Sequence, residues 1–203
     1  KLLAGREKSA QVWARDMHGN VRPFSVFMDP INVSVERVVS EDGDDEDENE
    51  RESLGVVCST THVSDEEGWR IDLRATRAGD YLLHVRCGDE PLGLSPYPIQ
   101  VSHADTHVPS STCSLADRRI RLEAGQQTFV VQARDRFGNR RTFSSREPFL
   151  AQIKGESVVP EMEDNDDGTF TMRMGLTVAG TYQIAVKHSE SAQLIRNDVI
   201  VAE

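Results

Sequence analysis

The sequence predicts an all-β chain built as two tandem β-sandwich domains, and three observations carry that reading. A stretch near one end returns in the second half: Ala14-Arg15-Asp16-Met17-His18-Gly19-Asn20 reappears as Ala133-Arg134-Asp135-Arg136-Phe137-Gly138-Asn139. Apolar residues alternate with polar ones, as strands with one buried face require. Turn signals separate these runs at the short intervals of a sandwich. A chain of 203 residues could hold one large or two small domains, and the internal repeat selects two.

Taken in order, the first turn is Gly19-Asn20, matched by Gly138-Asn139; glycine and asparagine tolerate positive φ at little steric cost. Trp69, Ile71 and Leu73 form one alternating run and Tyr81, Leu83 and Val85 the next. Phe170, Met172 and Met174, then Tyr182, Ile184 and Val186, repeat the pattern in the second half. A second landmark, Ala78-Gly79-Asp80-Tyr81, returns as Ala179-Gly180-Thr181-Tyr182. The two landmarks lie farther apart in the first half, so that half carries an insertion between them. The tract Glu41 to Glu52, almost wholly acidic, lies in this interval and is expected to be a mobile insertion. Trp13, Trp69, Phe170, Tyr81 and Tyr182 are expected in the core, since their strand positions make burial the simpler reading.

At these landmarks the sequence resembles filamin-type immunoglobulin-like repeats. The resemblance rests on the Ala-Arg-Asp-x-x-Gly-Asn strand end, the Asp167-Gly168-Thr169-Phe170 turn, the Ala-Gly-x-Tyr strand start and Ser95-Pro96-Tyr97 before a last strand. It implies strands near Ala10 to Asp16, Ile31 to Val38, Leu54 to His62, Trp69 to Ala75, Tyr81 to Cys87 and Tyr97 to Val101. Thr112 to Leu115 would supply the first strand of the second repeat, whereas the first repeat lacks that strand and is expected to begin upstream. The expected organisation is a first repeat over 1–102, a linker over 103–111 that has no apolar periodicity, and a second repeat over 112–203.

The formal net charge of -11 resides mostly in the acidic tract. A nearly neutral body beside an acidic patch argues against nucleic acid, which needs clustered Lys and Arg. No apolar run is long enough for a membrane span, so no membrane contact by this segment is expected. Three cysteines, Cys58, Cys87 and Cys113, show no CxxC spacing, which implies neither a disulfide framework nor a zinc site and favours a reducing compartment. His103 and His107 have helical spacing but sit in the expected linker. Glu163 to Gly168 is similar to the start of a calcium loop, yet Met174 occupies the position of the closing glutamate. No phosphate cradle, nucleophile turn or metal helix is present in the sequence. No catalytic residue, cofactor or metal is therefore expected.

The resemblance implies a scaffold that binds a partner peptide by β-strand addition, and the cysteine pattern makes the expected setting cytoplasmic. Candidate groove residues are Val33 and Val35 in the first repeat and Ile153 and Val159 in the second, along Phe149 to Lys154 and Ser157 to Met162, where Pro160 would interrupt pairing. Two alternatives stand beside it: a substrate-recruiting or regulatory region of a larger ubiquitin ligase or signalling protein, and an extracellular adhesion module of a membrane protein.

Overall fold

The computed structural model describes residues 1–22, 30–38, 55–64, 68–114, 125–143, 149–153, 160–178, 182–189, 191–195 and 200–202. The chain divides into two compact units, Lys1–Ser102 and His103–Glu203. The acidic tract 41–52 and Val159 lie outside the described residues.

Unit one contains β1 (Leu2–Leu3), β2 (Glu7–Val12), β3 (Ala14–Arg15), β4 (Val21–Arg22), β5 (Ile31–Val38), β6 (Val56–Ser64), β7 (Gly68–Ala75), β8 (Gly79–Cys87), β9 (Glu90–Pro91) and β10 (Tyr97–Ser102). One sheet runs β1-β10-β8-β5, with β9 also paired to β8, and a second runs β2-β7-β6. Their inner faces meet at Ile31, Ile71, Leu83 and Val85, with Val33, Val35, Trp69 and Ile99 packed around them. Period-two alternation thus places one face of each strand inside, and the two sheets form an immunoglobulin-like sandwich.

Two expectations fail here. The strand expected over Ala10 to Asp16 is split: β2 follows β7 as far as Val12↔Trp69, and the chain then pairs β3 with β4 from Ala14↔Arg22. Trp13 falls at that break and is 47% exposed, not in the core, because it has left the sheet that would cover it. A short β1, not foreseen, runs parallel to the end of β10 and buries Leu2.

Unit two contains β11 (Thr112–Cys113), β12 (Gly125–Gln132), β13 (Phe149–Ile153), β14 (Glu161–Asp164), β15 (Thr169–Leu176), β16 (Tyr182–His188) and β17 (Ile200–Ala202). The sheets run β11-β12-β15-β14 and β13-β16-β17. Phe149 of one sheet meets Phe170 of the other edge to face, centroids 5.0 Å apart, in a core with Phe129, Val131, Met172, Ile184 and Val186.

Residues 103–111 are part of unit two and do not form a separate linker. Val108 enters the core at a short 3-10 turn, Val108–Ser110, and Ser111 is fully buried. The main chain does most of the attaching. The His107 amide donates to the Arg134 carbonyl at 2.7 Å, and the Arg134 amide donates to Ser111 Oγ at 3.1 Å. Such bonds need no apolar repeat, which is why the segment reads as linker in the sequence.

The Ala-Gly-x-Tyr landmark gains a physical account. Tyr81 Oη donates to the Arg77 carbonyl at 2.9 Å, and Tyr182 Oη to the Val178 carbonyl at 2.5 Å. Each is a tyrosine corner, in which a ring at the start of a strand ties back to the chain upstream. Gln132 makes another tie: its Nε2 lies 3.0, 3.2 and 3.1 Å from the carbonyls of Ala133, Arg141 and Gly168. Gly168 has φ +84, and a Cβ there would stand 2.2 Å from the Arg141 carbonyl oxygen. The close approach therefore requires glycine.

Candidate interaction edges and turns

The repeated heptapeptide folds into the same turn twice. In unit one Asp16 Oδ1 accepts from the His18 and Asn20 amides, both at 2.9 Å, and Asn20 Nδ2 donates to Asp16 Oδ2 at 3.0 Å. Arg15 Nη1 closes the turn on the Gly19 carbonyl at 2.6 Å, and Gly19 has φ +86. In unit two Asp135 Oδ1 accepts from the Phe137 and Asn139 amides at 2.8 and 3.0 Å, and Asn139 Nδ2 reaches Oδ2 at 2.8 Å. Arg134 Nη1 meets the Gly138 carbonyl at 2.6 Å, again with φ +86 at the glycine. The four polar and glycine positions of the motif divide the turn between them. Asp caps two amides, Asn locks the carboxylate, Gly supplies the left-handed residue and Arg ties off its carbonyl. Hydrogen bonds to Asn20, its side-chain amide first, hold the Asp16 carboxyl below its ordinary value.

Strand edges are the second feature. β5 pairs with β8 from Ile31↔Cys87 to Val38↔Asp80 and with no other strand among the described residues. β13 likewise pairs only with β16 among the described residues, from Phe149↔His188 to Ile153↔Ile184. The edge strands of the opposite sheets, β6 and β14, follow them in sequence. In unit one Thr60 Oγ1 of β6 reaches the Ile31 carbonyl of β5 at 3.5 Å, the outer limit of a hydrogen bond.

Three of the sequence-derived groove residues, Val33, Val35 and Ile153, fall on the inner faces of these strands. Ile153 is 1% exposed in the core of unit two. Val33 and Val35 pack against the core of unit one. The reason is parity: Phe149, Ala151 and Ile153 point inward together, so Leu150 and Gln152 face out. On β5 the outward residues are Asn32, Ser34, Glu36 and Val38. Leu150, 42% exposed, and Val38, 48% exposed, are therefore the apolar groups these strands offer to solvent. Glu36 Oε2 lies 3.3 Å from His84 Nε2 on the neighbouring strand, and Lys187 Nζ donates to Gln152 Oε1 at 3.0 Å. Pro160 is buried and precedes β14, so it removes no amide from the β14 ladder.

The hairpin Asp164 to Thr169 turns its carboxylates onto its own backbone. Asp164 Oδ1 accepts from the Asp166 amide at 3.0 Å, and Asp167 Oδ1 from the Thr169 amide at 2.8 Å. The Thr169 hydroxyl, first, then its amide, holds the Asp167 carboxyl below its ordinary value. Among the described residues no three His, Cys, Asp or Glu side chains gather as a metal site would require. His103 Nδ1 pairs with the Ala104 carbonyl and His107 Nδ1 with Ser110 Oγ, so each ring has a local partner. Cys58 is pushed above its ordinary value by burial and then by Asp72, which leaves a poor nucleophile.

No protein-family model matches the chain. Among solved structures it is similar to FdeC, an Escherichia coli adhesin, at 16% identity and TM-score 0.53, over 100% of this chain and 61% of that one. It is similar to InvD of Yersinia pseudotuberculosis at 18% identity and TM-score 0.49, over 98% of this chain and 53% of that one. The Lin-41 filamin domain aligns with 49% of this chain and 96% of its own, at 15% identity and TM-score 0.40. The chain thus spans less than two thirds of the FdeC and InvD chains it matches. Likeness at such identity establishes the immunoglobulin-like sandwich; it does not establish membership of the filamin family.

Proposed function

We propose that the chain is a non-catalytic protein-binding segment of an adhesion or scaffold protein, and that a partner peptide binds by extending the sheet at β5 or β13. The observation that carries this is the pairing of β5 and β13 on one side only among the described strands. Such an edge offers amides and carbonyls in the repeat that an extended peptide needs, and outward side chains beside it select the partner. Val38 and Leu150, rather than the inward Val33, Val35 and Ile153, would meet that partner's side chains. The fold neighbour FdeC is an adhesin, and this favours the extracellular setting over the cytoplasmic one.

Selecting peptides from a random displayed library against the chain, then mapping them by amide chemical-shift changes, tests the reading. Shifts over Asn32 to Val38 or Leu150 to Gln152 are expected, and Leu150→Asp should weaken peptides that map to unit two while its fold is kept. Enriched peptides that map instead to the end turns around Gly88 and Gly93 would overturn it.

A further inference from the structure

β5 and β13 hold the same place in their units, and their registers align them residue by residue. Asn32 pairs with Arg86, five residues after the corner tyrosine Tyr81, and Leu150 pairs with Lys187, five residues after Tyr182. The outward position that gives β13 an apolar group is therefore held in β5 by an asparagine. Asn32 opens the tripeptide Asn32-Val33-Ser34, and no other asparagine of the chain stands two residues before a serine or threonine.

That spacing has a chemical meaning in an extended chain. Alternate side chains of a strand share a face, so the Asn32 carboxamide and the Ser34 hydroxyl point outward together, and both residues are exposed. Val33 between them turns inward onto the core. Asn-x-Ser with x other than proline is the acceptor sequence for N-linked glycosylation, which places a bulky, solubilising group on the surface. A glycan on Asn32 would leave the sheet on its solvent side and displace nothing from the core.

We propose that Asn32 is an acceptor for an N-linked glycan, and that the glycan closes the β5 edge and directs an added peptide strand to β13. The co-substrate is an oligosaccharide carried on a polyprenyl pyrophosphate. Asn32 Nδ2 attacks the anomeric carbon of the first sugar. The new C–N bond forms as the bond from that carbon to the pyrophosphate oxygen breaks. The lipid pyrophosphate leaves with the electron pair, and the amide nitrogen gives one proton to a base of the transferase. A strand added to β5 would lie about 5 Å away, with an outward side chain beside Asn32. The glycan fills that space, which Leu150 leaves open in unit two. The modification rests on the extracellular setting, and its effect on binding rests on the strand addition proposed above.

The test expresses the chain in eukaryotic cells behind a cleavable signal peptide. The signal peptide supplies the compartment, so a missing glycan counts against the site and not against the extracellular setting. Intact-mass measurement should show one oligosaccharide, removed by peptide-N-glycosidase with an aspartate left at position 32. Asn32→Gln and Ser34→Ala should abolish it, and Ser34→Thr should keep it. An unmodified secreted chain, or a glycan that persists in Asn32→Gln, would overturn the site. Displayed peptides selected on the unglycosylated chain from bacteria, and mapped by amide shifts to Asn32 to Val38, should bind the glycosylated chain at least about tenfold more weakly. Those that map to Leu150 to Gln152 should bind both forms equally. Equal binding of the first group to both forms, or the lack of any peptide at β5, would overturn the closing of that edge. Peptides that map to neither strand would overturn strand addition itself, while the mass measurement still decides the site.

Discussion

Asp16 and Asp135 stand in turns with the same hydrogen bonds, yet one is exposed and the other fully buried. The turn is thus encoded locally and its burial is not: a strap of polar chain from elsewhere in the sequence decides whether the carboxylate meets water. The tyrosine corners differ in the opposite sense. Tyr81 of unit one is 1% exposed, while Tyr182 of unit two is only half-buried. Two copies of one plan have therefore placed their best-protected landmark at different ends of the motif order.

Each difference predicts an asymmetry between equivalent substitutions. Tyr81→Ala should cost about 3–5 kcal/mol of stability through lost burial and the cavity left behind, and Tyr182→Ala clearly less; denaturant unfolding of both variants, with amide exchange to assign each loss to its unit, compares them. Equal losses would break the contrast. Asp135→Ala should cost about 3 kcal/mol, since it leaves the part-buried amides of Ala104, Phe137 and Asn139 without their acceptor. Asp16→Ala should cost less, because water replaces the carboxylate at an exposed turn, and a thermal-melting comparison of the pair reads this directly.

Glycines sharpen the same point. Gly168→Ala combines positive φ with a clash against backbone and should cost about 2–4 kcal/mol. Gly138 has nearly the same φ but open space where a Cβ would stand, so Gly138→Ala should cost only about 1 kcal/mol. The smallest effect is that of pH. The Asn20 side chain lowers the Asp16 pKa, and the Ser9 hydroxyl, first, lowers that of Asp72. A lowered folded pKa contributes stability above the unfolded value, and that contribution is lost as pH falls through the folded one. Stability should therefore hold from neutrality to about pH 5 and decline below about pH 4, with a shallower decline in Asp16→Asn when urea midpoints are followed against pH.

Much of this architecture is legible in the residues. The recurrence of Ala-Arg-Asp-x-x-Gly-Asn locates the same turn in both units because every bond in that turn is made within the motif itself. Alternation locates the strands for a similar reason: one face of each is buried. What alternation leaves open is which parity faces inward, and Ile153 reads as a groove residue although it shares its parity with Phe149 and Ala151, which fixes it in the core. Trp13 misleads because strand propensity does not report where pairing switches from β7 to β4. The segment 103–111 reads as linker because it is held by backbone amides, a few polar side chains and one valine, none of which forms an apolar repeat. Which strands end a sheet is a property of pairing between distant segments, beyond the reach of any local pattern.

Gln132 carries a consequence for descent. Its single amide spans three carbonyls, one of them that of Gly168, and it stands where unit one has Trp13. A lineage that changed Gln132 would remove one of the ties between Arg141 and Gly168, which the Ala133 main chain also bridges, and a lineage that changed Gly168 would leave the amide with less to hold. These positions should therefore drift as a group among descendants of unit two, while the position of Trp13 in unit one, free of that linkage, is open to selection for other ends.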